Sequence, residues 1–108
     1  MKVIDKPWGK EEIIENNDKY VVKRLTMNEG KRCSLQYHEY KKETIYVLDG
    51  ILKIQIGEES IDYEKGDFVT IVPGVIHRME GVTTSVYLES STNELDDVIR
   101  IEDDYSRK

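Results

Sequence analysis

Apolar residues along this chain recur with period two rather than three or four, in runs of strand length broken by turn residues. Side chains therefore alternate between two faces, which commits the chain to β-structure. The pattern predicts strands near 12–15, 20–27, 33–38, 43–48, 52–56, 68–72, 76–80, 84–89 and 98–101. Many short strands in a chain of 108 residues mean a sandwich or barrel. That length suits one domain, 1–108, with one modest core. Asp49-Gly50 between two such runs suits a tight hairpin with positive φ, and Gly57, Gly66 and Gly74 punctuate later connections. Residues 93–108 are acidic and sparsely apolar, and are expected to form a C-terminal extension packing on the barrel, tied down by Val98, Ile99 and Ile101.

Alternation also sorts inside from outside. Leu52, Ile54 and Ile56 make one apolar face while Lys53 and Gln55 face the other way, as in the wall of a barrel. In the 43–48 run, Ile45 and Val47 share a side with Glu43, yet Tyr46 and Leu48 make the opposite side apolar too. A partner subunit, giving a homodimer, is the expected cover; an N-terminal strand of the same chain is the competing one. Lys23 shares a face with Val21, Leu25 and Met27. If that face looks inward, the ammonium must meet a carboxylate or a substrate anion; otherwise it is a snorkelling surface lysine.

The formal charge of −6 and the lack of a clustered basic patch argue against nucleic acid or an anionic membrane as partner. No apolar run approaches membrane-spanning length, and the start MKVIDKPWGK lacks the apolar core of a signal peptide, so cytoplasm is the expected compartment. Cys33 is the single cysteine, read as a small buried thiol rather than a nucleophile.

The two histidines sit in a spaced frame. It reads Gly30, five residues, Gln36, one residue, His38, four residues, Glu43, six residues, Gly50, and later Gly66, ten residues, His77. Gln36 and His38 alternate on one strand face, Glu43 opens the next strand and His77 arrives from a distant one, so four donors can converge. Two imidazoles, a carboxylate and an amide oxygen suit a divalent ion, zinc first, with manganese, cobalt, nickel or iron as alternatives. In the metal-free alternative the histidines are polar lining of a ligand-binding barrel.

This spacing resembles the two signature motifs of the cupin superfamily, and the form SLQYH is similar to the cupin domain of type II bacterial mannose-6-phosphate isomerases. The resemblance includes Pro7-Trp8-Gly9, Val22-Lys23, Ser34 to His38, Glu43, His77-Arg78 with Glu80, and the tail from Asp96 to Arg107. It implies an all-β jelly-roll barrel holding one divalent ion through Gln36, His38, Glu43 and His77 and acting on a phosphorylated sugar. Tyr40 and Lys41 stand where the family usually has a histidine and an arginine, Pro73 comes one place late, and Gly81 replaces a closing asparagine. Losing the arginine turns a bidentate phosphate clamp into a point charge. A free-standing cupin, without the nucleotidyltransferase domain that often precedes it in the family, is the expected arrangement, which makes a sugar nucleotide of polysaccharide synthesis a further expected ligand.

The expected activity is metal-dependent aldose–ketose isomerisation through an enediolate. Lys23, Lys41, Arg78 and Arg100 are the substrate-binding candidates, and ion pairing with Glu80 or Glu102 is the structural alternative for the two arginines. Trp8 is read as a packing anchor rather than a substrate platform. The general base stays unassigned. A non-catalytic sugar-binding cupin and an iron-dependent dioxygenase are the competing functions.

Overall fold

The computed structural model describes residues 2–107. It is all-β and built from eleven strands. They are β1 (Lys2–Lys6), β2 (Gly9–Asn16), β3 (Val21–Met27), β4 (Leu35–Tyr37), β5 (Glu43–Asp49), β6 (Leu52–Ile56), β7 (Glu59–Tyr63), β8 (Phe68–Ile71), β9 (His77–Gly81), β10 (Ser85–Ser91) and β11 (Ile99–Glu102). Two antiparallel sheets form the jelly roll, one ordered β1-β2-β3-β10-β5-β8 and the other β11-β4-β9-β6-β7. Among the described residues no helix is long and apolar enough to cross a membrane.

Strands β1 and β7 escape the period-two reading, and both are outermost in their sheets. Each is held by its backbone ladder to one neighbour, β2 or β6. A strand held that way has little side-chain area to bury, so the pattern that betrays an inner strand is weak in KVIDK and ESIDY. At Asp49-Gly50 the expected positive φ is found: Gly50 has φ 75°, and a Cβ there would stand 2.3 Å from the Thr84 carbonyl oxygen. The expected hairpin is not, because β5 and β6 belong to different sheets and the turn carries the chain from one to the other.

Register decides where chemistry sits. Along β3 the inward residues run Val21, Lys23, Leu25 and Met27, along β5 Glu43, Ile45 and Val47, and along β10 Ser85, Tyr87, Glu89 and Ser91. The ladders set Tyr87 opposite Leu25 and Val47, and set Glu89 opposite Lys23. One end of the interior is therefore apolar, where Leu25, Met27, Ile45, Val47, Leu52, Ile54 and Met79 close the core. Burying each such side chain contributes about 1.5–3 kcal/mol. The other end is polar, because the same strands there point Lys23, Glu43 and Glu89 inward and β9 adds His77.

The inward branch of the Lys23 reading holds: the residue is buried and its ammonium lies 3.4 Å from Glu11. The outer face at Tyr46 is not covered by the N-terminal strand, since β1 lies at the opposite edge of the sheet from β5 and β8. Tyr46 remains 42% exposed and stacks on Phe68, itself 67% exposed, with ring centroids 6.4 Å apart. The tail is anchored differently from expectation. Ile99 pairs with Tyr37, but Ile101 is exposed, and Arg32 grips Asp104 through two hydrogen bonds of 2.6 and 3.0 Å.

Candidate metal centre

His38 follows β4, Glu43 opens β5 and His77 opens β9. All three are buried, and one ligand atom from each lies within 4.8 Å of the others. Glu43 Oε1 is 3.1 Å from His77 Nε2 and 3.6 Å from His38 Nε2. The two imidazole rings are 5.0 Å apart at centroid and tilted by 51°.

The other ring nitrogens fix the tautomers. His77 Nδ1 donates to the Val75 carbonyl at 2.9 Å, and His38 Nδ1 donates to the Asp97 carbonyl. A carbonyl only accepts, so each Nδ1 carries its proton and each neutral ring presents an Nε2 lone pair. Both Nε2 atoms are buried without a hydrogen-bond partner, and both face the same carboxylate oxygen. Two lone pairs turned toward an anion repel one another unless a proton or a cation stands between them. The donor set therefore fits a divalent ion, with two imidazole nitrogens and one carboxylate oxygen as its protein ligands.

Lys41 settles the rest of Glu43. Its ammonium lies 3.2 Å from Glu43 Oε2 and 2.9 Å from Glu89 Oε2. The carboxylate is thereby divided, one oxygen toward the imidazoles and the other toward Lys41. Burial pushes the Glu43 carboxyl up, but the two imidazoles and Lys41 outweigh it and hold the group well below the usual glutamate range. Burial pushes Lys41 down, and Glu89 and Glu43 overcome this to raise it. Glu89 itself is raised, by burial first and by the charge of Glu43 next.

His38 has a folded value above the ordinary 6.5, because Glu43 overcomes the downward push of burial. In metal-free protein the sign of each linkage follows. The stability that protonated His38 contributes is complete below its unfolded value and lost as pH rises through the folded one. Glu43, lowered from 4.5, contributes stability that is complete above that value and lost as pH falls through its folded one. Urea unfolding in chelator should therefore give higher stability at pH 6 than at pH 8, and His38→Gln should shrink that difference. A difference unchanged in the variant would remove His38 from the account.

The remaining expected residues divide. Gln36 lines the cavity above the triad and pairs with His77 in the ladder, with its Oε1 accepting from the Ser34 hydroxyl at 2.6 Å. Lys23, Lys41 and Arg100 line the same cavity, of about 240 Å³. Arg78 does not: at opposite parity to His77, it sends its guanidinium to the carbonyls of Cys33, at 2.9 Å, and Glu102, at 3.3 Å. Reading Arg78 as a substrate contact is corrected by that orientation, and its 3.9 Å approach to Glu102 Oε2 is the structural pairing. Trp8 is buried in the core cluster and also borders the cavity. Cys33 is buried, its thiol pushed up to about 11 by burial, as suits an unreactive packing group.

Three residues of the site went unnoticed in the sequence. Glu89 stands in the inward stripe with Tyr87, and the parity argument applied to Lys23 finds it equally well. Glu11, the partner of Lys23, carries no such signal, because β2 is broken by a register shift between Ile13 and Glu15. Asp97 lies between strands, where no periodicity operates. Its carboxylate accepts from the backbone N–H groups of Glu39, Tyr40 and Lys41. Burial pushes that carboxyl up, and these donors outweigh it to hold Asp97 below the ordinary aspartate value.

Comparison with known proteins adds four findings. The family described as mannose-6-phosphate isomerase C-terminal matches residues 1–103. The chain is 29% identical over 102 residues to mannose-1-phosphate guanylyltransferase RfbM of Salmonella typhimurium, covering 90% of this chain and 21% of that one. It is 31% identical over 107 residues to xanthan biosynthesis protein XanB of Xanthomonas campestris pv. campestris, covering 94% of this chain and 23% of that one. The chain thus spans about a fifth of the length of these curated relatives. Among solved structures, an RmlC-like cupin from Shewanella frigidimarina superposes with a TM-score of 0.81 at 16% identity, covering 88% of this chain and 86% of the other, which shows the shared fold.

Proposed function

From the premise that this chain belongs to the mannose-6-phosphate isomerase C-terminal family, we propose that it binds a phosphorylated sugar over a divalent ion, zinc first, and interconverts its aldose and ketose forms. The observation that carries the reading is the buried His38–Glu43–His77 triad, whose His38 and Glu43 line a cavity walled partly by cations. The ion would be held by His38 Nε2, His77 Nε2 and Glu43 Oε1, with Gln36 as a fourth donor once its amide leaves Ser34. When bound, it supplies polarisation of neighbouring carbonyl and hydroxyl oxygens, which acidifies the carbon-bound hydrogen between them.

The chain's own residues do the rest. Lys23 and Arg100, on separate strands that line the cavity, attract and orient the phosphate. Lys41 keeps Glu43 turned so that one oxygen remains for the ion. Glu89 is a carboxylate of the lining outside the triad, raised by burial, and we assign its carboxylate, held through Oε2 by Lys41, to take the carbon-bound proton and return it to the adjacent carbon. The core side chains beneath the cavity exclude water from that transfer. A cytoplasmic setting, and a second copy of the chain covering the Tyr46–Phe68 face, belong to the same reading.

A second reading is favoured by one specific observation. The carboxylates Glu11 and Glu89 are already paired with Lys23 and Lys41, as suits a barrel that holds a sugar phosphate or sugar nucleotide without turning it over. The two separate in one assay. Metal-loaded protein is incubated with mannose 6-phosphate under zinc, manganese, cobalt or nickel, beside His77→Ala. Interconversion with fructose 6-phosphate, lost in the variant, supports the isomerase. Saturable binding with no turnover under any ion sinks it and leaves the binding module, whereas oxygen uptake only under iron would point to a dioxygenase.

A further inference from the structure

Asp97 holds the turn between two residues of the site with both halves of its own structure. Its carboxylate accepts the N–H groups of Glu39 at 3.1 Å, Tyr40 at 2.7 Å and Lys41 at 2.9 Å. That is every backbone donor between His38 and Lys42, so the turn that carries His38 at one end and Lys41 at the other is gripped as a unit. Its main-chain carbonyl accepts the Nδ1 proton of His38. The residues around it, Leu95, Asp96 and Val98, form a wall of the cavity. Within that wall the N–H groups of Leu95, Asp97 and Val98 reach only the nearby carbonyls of Asn93, Glu94 and Asp96. These short local bonds do not hold a segment against a barrel; Asn93 Nδ2 ties its start to the Asp18 carbonyl at 2.8 Å, and Asp97 supplies the hold on the turn of the site.

We infer that Asp97 is a positioning residue which couples docking of the 93–98 segment to occupancy of the His38–Glu43–His77 centre. The inference rests on the metal reading of that triad. A cation on Nε2 withdraws charge from the ring and makes Nδ1–H a stronger donor, so the Asp97 carbonyl is held more tightly when the ion is present. Linkage then runs both ways: whatever frees the segment weakens the ion by the same factor that the ion tightens the segment. Removing the Asp97 carboxylate does not delete the carbonyl, but it releases the turn, so carbonyl and imidazole no longer stay in register.

The test is hydrogen exchange on the full chain with zinc and with chelator, beside a zinc titration by competition. In the wild type, zinc should slow exchange of the 95–98 amides about tenfold or more. Asp97→Ala should weaken zinc about 10- to 100-fold and abolish the zinc-dependent protection. Asp97→Asn, which keeps one acceptor oxygen on the turn, should recover part of both, a rescue that a merely structural role would not tie to zinc. Zinc binding with unchanged exchange at 95–98 overturns the coupling and leaves the metal reading standing. Failure of the wild type to bind zinc or any other divalent ion overturns both. The wild-type comparison needs no substitution, so a variant that fails to fold does not rescue the idea.

Discussion

Glu43→Gln is expected to weaken zinc binding by at least about 100-fold, more than loss of any group that merely supports a ligand, for which 10- to 100-fold is usual. Glutamine has the shape of glutamate, so the substitution leaves no cavity; what it removes is the single negative charge shared by His38 Nε2 and His77 Nε2. An ion left with two imidazoles and an amide would keep its nitrogen ligands while losing the charge that offsets its own. Metal-free protein should respond in the opposite sense. Without the carboxylate the main upward push on His38 is gone, and its protonation should fall back toward the ordinary histidine range, because burial and the neighbouring Lys41 charge are then opposed only by the Asp97 carbonyl. Competition against a chelator of known affinity reads the first effect, and titration of the imidazole signals by NMR reads the second. Zinc affinity within threefold of wild type would place the ion elsewhere.

The same site explains what could be read in the sequence and what could not. Inner strands announce themselves because each must bury one face, and the inward runs of β3, β5 and β6 were all legible by parity. That parity also put Lys23 on one face with Val21, Leu25 and Met27 but left open whether the face looks inward; the fold turns it inward, where Glu11 meets the ammonium. The histidines and Glu43 were legible as a spaced set for a related reason: His38 is two residues on from Gln36, which pairs with His77 across the β4–β9 ladder, and Glu43 opens a strand of the other sheet. Edge strands β1 and β7 were not legible, since a strand with one backbone neighbour and an exposed face has no need of alternation. Arg78 was misjudged because matching a motif position says nothing about which face a strand presents; its parity, opposite to His77, was available and points it away from the cavity. Asp97 was beyond reach for a deeper reason. Its role depends on a loop 56 to 59 residues away in sequence, and no local pattern encodes a contact between two irregular segments.

Lys41→Met is the substitution expected to cost the most stability. Lys41, Glu43 and Glu89 are all buried, with one ammonium serving two carboxylates at 3.2 and 2.9 Å. Methionine keeps the aliphatic stem and removes the charge, so two carboxylates are left buried without their cation, and breaking a buried pair in this way costs about 3–5 kcal/mol. Three features separate this account from loss of packing. Adding Glu89→Gln to Lys41→Met should recover part of the loss, giving a coupling of about 0.5–3 kcal/mol in a double-mutant cycle. Zinc should reduce the penalty, because an ion on Glu43 replaces the missing positive charge. The penalty should also grow with pH: Glu89 is already raised, and without Lys41 it rises further, so at pH 5 the variant can protonate it while at pH 8 folding must bury the anion. Urea unfolding of wild type, both single variants and the double, at the two pH values and with zinc or chelator, measures all three. Strict additivity, with a penalty blind to zinc and pH, would mean that the three charges do not act as one group.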